Sequence, residues 1–188
     1  MMRVLIAGVL GGIAMFVWTS IAHVATPLGR IGFSQIPNEA PVLAAMHGAM
    51  ADKPGLYFFP WIDPTDPNVE KNYQEKVRDN PSGLVLYHPP GATEGMTPVQ
   101  LIEEFSKELV QTLIAAFLLS LTVLGAYLAR VGFVTLIGVS AGIATNFSYF
   151  IWYRFPLDYT LAYASIEIIG GLVAGLVIAA IVRGRAAG

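Results

Sequence analysis

The feature that most restricts the fold of this chain is its first long stretch without a charged side chain. No Asp, Glu, Lys or Arg occurs between residues 4 and 29. A helix rises 1.5 Å per residue, so residues 4–25 are long enough to cross a hydrocarbon core of about 30 Å. The basic start at Arg3 also resembles a signal peptide, with a cleavage site at Ala22 or Ala25. We expect instead an uncleaved transmembrane helix within residues 1–25.

Three more apolar stretches lie in the second half of the chain. They cover residues 109–129, 131–153 and 159–182, and the last contains one acid, Glu167. The links between them are short, which favours antiparallel neighbours. The whole chain is 55% hydrophobic and 13% charged, whereas soluble domains carry roughly 25% charged residues. Residues 107–188 therefore predict three further transmembrane helices and a short tail, which completes an all-α four-helix membrane bundle.

The segment between the first and second predicted spans, residues 26–106, is too long for a connector and too apolar for a disordered linker. Its predicted elements are helices at 39–50 and 66–79, strands at 56–59 and 84–87, and a helix that starts after Thr97 and continues into the second span. The two strands resemble each other and should pair, and the helical connection between them would permit parallel pairing. We expect a small α+β cap outside the membrane, packed on the helix ends.

The orientation follows from the positive residues beside the spans. Arg3, Arg130, Arg183 and Arg185 lie on one side of the predicted bundle, and the short link on the other side carries Arg154. Positive residues beside spans favour the cytoplasmic side. This predicts a multi-pass protein of the bacterial inner membrane with both termini cytoplasmic and residues 26–106 periplasmic.

Several classes of function have no support in the composition. The chain has no cysteine, which excludes disulfides, thiolate nucleophiles and cysteine zinc sites. The formal charge is −2, and without a basic stripe it gives no reason to expect nucleic acid as a partner. The three histidines show no metal-ligand spacing. We therefore expect no metal, no cofactor and no catalytic residue.

Glu167 is the most informative single position, because an acid inside a membrane span is costly unless it is protonated or paired. Three polar residues from the other spans are predicted at a similar depth: His23, Gln111 and Asn146. They could form an outward-facing polar pocket in which Glu167 accepts a proton or anchors a ligand. The alternative is a hydrogen-bond network that only fixes helix packing. For either role we expect Glu167 to face the bundle interior and to contact polar groups of at least one other span, with Asn146 and His23 as the favoured partners.

Pairs of glycines four residues apart occur in three of the predicted spans. They are Gly8 and Gly12, Gly138 and Gly142, and Gly171 and Gly175. Small residues at this spacing let helices approach closely. The pairs can serve packing within the chain or offer a face to a partner helix.

Short motifs give the chain a resemblance to a group of bacterial four-span membrane proteins. They are Trp18 with His23, Pro27-Leu28-Gly29, Asn38-Glu39, Pro54-Gly55-Leu56-Tyr57 and Tyr159-Thr160-Leu161. The resemblance implies one span, a loop domain and three closely spaced C-terminal spans. It implies no activity and no catalytic residue.

The function expected from these features is that of a non-enzymatic accessory or scaffold subunit of a membrane complex. Its partners would be the lipid bilayer and either another protein or a second copy, bound through the glycine-rich helix faces. The alternative is a small transporter or enzyme that uses the polar layer around Glu167.

Overall fold

The computed structural model describes residues 1–92 and 95–183. It is mostly helical, with one small sheet. The elements in chain order are α1 (Met2–Val24), a short 3-10 turn (Leu28–Arg30), α2 (Glu39–Met50), β1 (Gly55–Phe59), α3 (Val69–Asp79), β2 (Gly83–Tyr87), α4 (Pro98–Ser120), α5 (Tyr127–Tyr153) and α6 (Leu157–Ile181). Two compact units result, Ser34–Gly95 and the remaining helices with their adjoining turns.

Three helices of the described chain are long and apolar enough to cross a membrane. They are α1, α5 and α6, with 23, 27 and 25 residues. Each agrees within a few residues with a span predicted from the sequence. The protein is therefore membrane-embedded in character, as its composition indicates.

The second predicted span, residues 109–129, is not confirmed as a membrane span. The helix there, α4, has 23 residues, but its first half carries four charged residues, Glu103, Glu104, Lys107 and Glu108. It also ends at Ser120, whereas the apolar stretch in the sequence continues to residue 129. The Thr122 hydroxyl donates to the Leu119 carbonyl at 2.8 Å and accepts from the Leu124 backbone N–H at 3.4 Å. These bonds stabilise a turn that apolar composition alone does not reveal.

The helices of this unit lie side by side with α1 next to α4 and α6, and with α5 packed on the far side of α6. Met15, Leu119 and Ile178 from three of these helices are almost fully buried in the shared core. Val182 belongs to the same core cluster, and the partly buried Val4 packs against it. The start of α1 and the end of α6 therefore meet at one end of the bundle, beside the end of α4.

Glycines allow two of these helix pairs to touch through their backbones. A Cβ added to Gly171 on α6 would lie 2.9 Å from the Gly138 Cα on α5. A Cβ added to Gly8 on α1 would lie 2.9 Å from the Leu113 Cα on α4. Gly12 also faces α4, and Gly142 and Gly175 line the α5–α6 contact. All three glycine pairs are thus occupied by contacts within the chain.

The Ser34–Gly95 unit contains α2, α3 and a two-stranded sheet. The strands do pair, but the parallel arrangement suggested by the sequence is wrong: they are antiparallel, with Gly55 opposite Tyr87 and Phe59 opposite Gly83. The connection through α3 is long enough for either arrangement. Phe58 of β1 and Tyr73 of α3 stack with ring centroids 6.2 Å apart, so α3 covers one face of the sheet near the end of β1.

Candidate functional site: buried Glu108 and the ion pairs of Lys107

The centre of the candidate site is Glu108, which is fully buried at 0% exposure. It lies on α4, and its Oε1 is hydrogen-bonded to the Thr19 hydroxyl of α1. The other carboxyl oxygen, Oε2, has no hydrogen-bond partner among the described residues. A buried carboxyl with one unpartnered oxygen is costly, and the cost is greatest in the ionised form. Glu108 is thus the most unusual polar group in this unit.

The neighbouring Lys107 lies among three carboxyl groups. Its Nζ is 2.8 Å from Glu104 Oε1 and 3.9 Å from both Glu108 Oε1 and Glu167 Oε1. Lys107 and Glu104 thus form a hydrogen-bonded ion pair, whereas the distances to Glu108 and Glu167 are too long for hydrogen bonds. The Lys107 side chain is 47% exposed, whereas that of Glu167 is 25% exposed. One ammonium group therefore links Glu104 and Glu108 of α4 to Glu167 of α6. We call Lys107 and these three acids the carboxyl layer.

Glu167 has its polar partner on another helix, as expected, but that partner is Lys107 rather than Asn146 or His23. The buried Asn146 side chain donates to the Gly142 carbonyl of its own helix at 3.0 Å. His23 Nδ1 lies 2.9 Å from the Thr19 carbonyl on α1, and its ring packs edge-on against Tyr163. These two side chains are satisfied close to their own backbone.

Gln111 is half-buried on α4, one turn after Glu108. The structure does not bring it together with Asn146 and His23 through a side-chain hydrogen bond within the described residues. Of the four residues selected from the sequence, Glu167 alone has an ion-pair contact in the carboxyl layer. Glu108 and Lys107 were missed.

A helical pattern in the sequence could have identified Glu108. The buried residues of α4 are Glu108, Thr112, Ala115, Ala116 and Leu119. Their spacing of three, four and seven residues defines one face of a helix. Extending this apolar stripe backwards by one turn from Thr112 reaches Glu108, which lies just before the apolar stretch 109–129.

Other polar side chains near the carboxyl layer join the three helices. The Trp18 indole of α1 donates to the Ile166 carbonyl of α6 at 2.9 Å. The Thr112 hydroxyl of α4 lies 2.8 Å from two carbonyls, that of Gly8 on α1 and that of Glu108 on its own helix. Interhelical hydrogen bonds of this kind contribute about 0.6–2 kcal/mol each. The three helices are therefore joined by polar contacts around one carboxyl oxygen, Glu108 Oε2, which has no hydrogen-bond partner among the described residues.

A separate cleft of about 350 Å³ lies within the Ser34–Gly95 unit. It is lined by Asp66, Asn72, Glu75, Lys76, Asp79 and Asn80. The Asp66 carboxylate accepts from the Asn68 backbone N–H at 2.8 Å and from the Asn72 amide at 2.6 Å. These bonds fix the turn before α3 and account for Asp66 without a ligand.

Neither unit offers a clear metal site. Within the part of the chain that the structure describes, no three His, Asp or Glu side chains are placed to hold a metal ion. The acids around Lys107 instead form ion-pair contacts with its ammonium group.

The chain matches no protein-family model, no curated protein and no solved structure, so these comparisons add no support to the resemblance to bacterial four-span proteins.

Proposed function

We propose that the protein is a non-enzymatic accessory or scaffold subunit of a complex in the bacterial inner membrane. The observation that carries this proposal is the direct backbone contact between helices, above all at Gly138 and Gly171. Where these backbones touch, no substrate fits between α5 and α6 or between α1 and α4. Helices held this closely suit a subunit that positions other proteins.

The distribution of charged and aromatic residues supports an orientation with both termini cytoplasmic. Arg130 near the start of α5 donates to the Ala179 carbonyl near the end of α6. Arg3 and Arg183 belong to the same end, where the start of α1 meets the end of α6. Positive residues favour the cytoplasmic side.

Aromatic rings gather at the other end of the bundle, in the 3-10 turn region and at the junction of α5 and α6. Tyr159 stacks on Tyr163, with ring centroids 4.3 Å apart, and Phe33 and Phe155 pack against Tyr159. Amphipathic rings favour the membrane–water interface. This end would then face the periplasm.

The same proposal includes α4 as a fourth crossing. At 1.5 Å per residue, its 23 residues extend about 34 Å. Its end packs with the start of α1 and the end of α6 in the core cluster. Its charged first half would then lie toward the periplasmic end. Antiparallel packing against α1 supports this assignment, because Thr112 reaches Gly8 while Glu108 reaches Thr19.

Single cysteines can test the topology cleanly because the chain has none of its own. We expect an impermeant thiol reagent to label Asp79→Cys in intact cells, since residues 26–106 are proposed to be periplasmic. Gly188→Cys should react only after the membrane is opened. Labelling of Gly188→Cys but not Asp79→Cys in intact cells would contradict the orientation.

The Ser34–Gly95 unit offers a candidate contact for a protein partner. Leu56 and Leu86 face each other across the two strands, and each is 68% exposed. They lie on the sheet face that α3 covers only near Phe58. We propose that another protein covers these two leucines, because proteins rarely leave large contiguous apolar surface open to water.

Photo-crosslinking in native membranes tests the accessory role. A photoactivatable residue at Leu86 should form a stoichiometric adduct with one protein, and the same residue at Glu70, on α3, serves as the control. The adduct should persist through purification in mild detergent as a particle larger than the monomer. A monomeric particle with no adduct from Leu86 would contradict the proposal.

The carboxyl layer favours a second candidate function, a small proton-coupled transporter or enzyme. Its specific support is the fully buried, partly unpartnered Glu108 beside Lys107 and Glu167. Reconstituted vesicles discriminate between the two functions. If the purified monomer carries a proton flux that is lost in Glu108→Gln but retained in Glu103→Gln, the transporter is favoured. If the vesicles show no proton flux, the accessory role is favoured.

A further inference from the structure

The hydroxyl of Thr19 lies between two oxygen atoms but has only one hydrogen. It is 2.7 Å from the Met15 carbonyl oxygen and also contacts Glu108 Oε1. A carbonyl can only accept a hydrogen bond. If Thr19 donates to Met15, the contact with Glu108 needs a hydrogen from the carboxyl group. A protonated Glu108 satisfies both contacts at once.

The surroundings of Glu108 favour the same arrangement. Its side chain is fully buried and Oε2 lacks a partner within residues 1–92 and 95–183. The nearest cation, Lys107, lies 3.9 Å from Glu108 Oε1, while its hydrogen bond goes to Glu104. An ionised carboxylate here would have one side-chain donor and a distant ammonium, which compensates poorly for the loss of water.

We propose that Glu108 is a proton-binding site. The carboxyl group holds a proton at neutral pH and donates it in a hydrogen bond to Thr19 Oγ1, and Thr19 in turn donates to Met15. While the proton is bound, Lys107 remains shared between Glu104 and Glu167.

The other titratable and charged groups around the site are few. On α4 they are Glu104 and Lys107, on α6 Glu167, and on α1 His23, one turn beyond Thr19. The remaining helix of this unit, α5, contributes Arg130, but the guanidinium of Arg130 donates to the Ala179 carbonyl near the end of α6. Lys107 is thus the cation placed to respond to Glu108.

Loss of the proton would change the ion pairing of this layer. The proton would pass to water, and the carboxylate left behind would draw Lys107 from Glu104, to which it is now bound at 2.8 Å. Lys107 also lies 3.9 Å from Glu167 on α6, so its movement toward Glu108 would change that contact as well.

Infrared spectroscopy of the protein in lipid vesicles tests the proposal directly. The wild-type protein at neutral pH should show a protonated-carboxyl C=O band that shifts in D₂O, and Glu108→Gln should remove it. Glu103→Gln, on the exposed part of the same helix, and Glu167→Gln should retain it. Absence of the band in the wild type, its survival in Glu108→Gln, or its loss in Glu167→Gln would each overturn the proposal.

A second variant tests the hydrogen bond itself and does not alter the carboxyl group. Thr19→Val keeps the shape of the side chain and removes the oxygen that accepts from Glu108. The carboxyl band should then move to higher frequency, because its O–H loses a hydrogen bond. Ser165→Ala, which removes a hydroxyl bound to Leu161 within α6, should leave the band in place. An unchanged band in Thr19→Val would show that the proton is not held as proposed.

Discussion

Replacing Gly171 by alanine should lower the free energy of unfolding by about 1–3 kcal/mol, the usual cost of overpacking. The added Cβ would lie 2.9 Å from the Gly138 Cα, and a backbone atom cannot move aside as the end of a side chain can. The helices α5 and α6 would have to separate along their contact. A larger side chain at the same position should cost more.

Gly132→Ala is the matched control on α5, because nothing lies within 4 Å of the Cβ that it would add. Alanine is intrinsically better than glycine in a helix by roughly 0.5–1 kcal/mol, so this variant should be neutral or more stable. Reversible unfolding in detergent and denaturant measures both. If Gly171→Ala instead broke an oligomer and left the unfolding of the monomer unchanged, its glycine face would serve a partner helix.

The apolar helices could be predicted from the sequence because lipid imposes a simple requirement. A span must satisfy its backbone internally and carry few charges, and α1, α5 and α6 follow this rule within a few residues. The C-terminal end of α4, at Ser120, could not be predicted in the same way. Residues 121–129 are as apolar as those before them, and the turn depends on bonds made by one hydroxyl, that of Thr122.

Local signals in the loop were also reliable where they were chemically specific. Thr97 and Gln100 form the reciprocal capping box that the sequence indicates, because both partners lie within one turn. The strand pairing could not be predicted from local signals, since its direction depends on where α3 packs. The contact between Phe58 and Tyr73 joins residues that neither strand pattern connects.

The candidate site shows a different limit. Depth in a span identified Glu167, but depth does not say which side chains meet. Asn146 and His23 can bind carbonyls one turn away on their own helices, and that choice competes with interhelical contacts. Glu108 was hidden by its place at the edge of an apolar stretch, where an acid is ordinarily expected to reach water.

Arg130 gives the second prediction with a large expected effect. The apolar pattern of the sequence places Arg130 in a short link between the predicted spans 109–129 and 131–153. In the structure it lies inside α5 and is 8% exposed. Its Nε donates to the Ala179 carbonyl at 3.2 Å, and its Nη1 binds the Gly125 carbonyl in the turn before α5. One guanidinium thus ties the last turn of α6 to the α4–α5 connection, and both carbonyls would lose a partner without it.

Arg130→Met keeps most of the aliphatic stem and removes both bonds. We expect it to lower the free energy of unfolding by about 3 kcal/mol, because each orphaned carbonyl costs about 1–3 kcal/mol when water does not replace the donor. Arg183→Met removes the same charge from an exposed residue at the same end and should change the stability by less than about 0.5 kcal/mol. Equal losses in the two variants, measured by unfolding in the same detergent, would mean that Arg130 acts only through its charge. A large loss in Arg130→Met alone would show that the arginine joins α6 to the turn before α5.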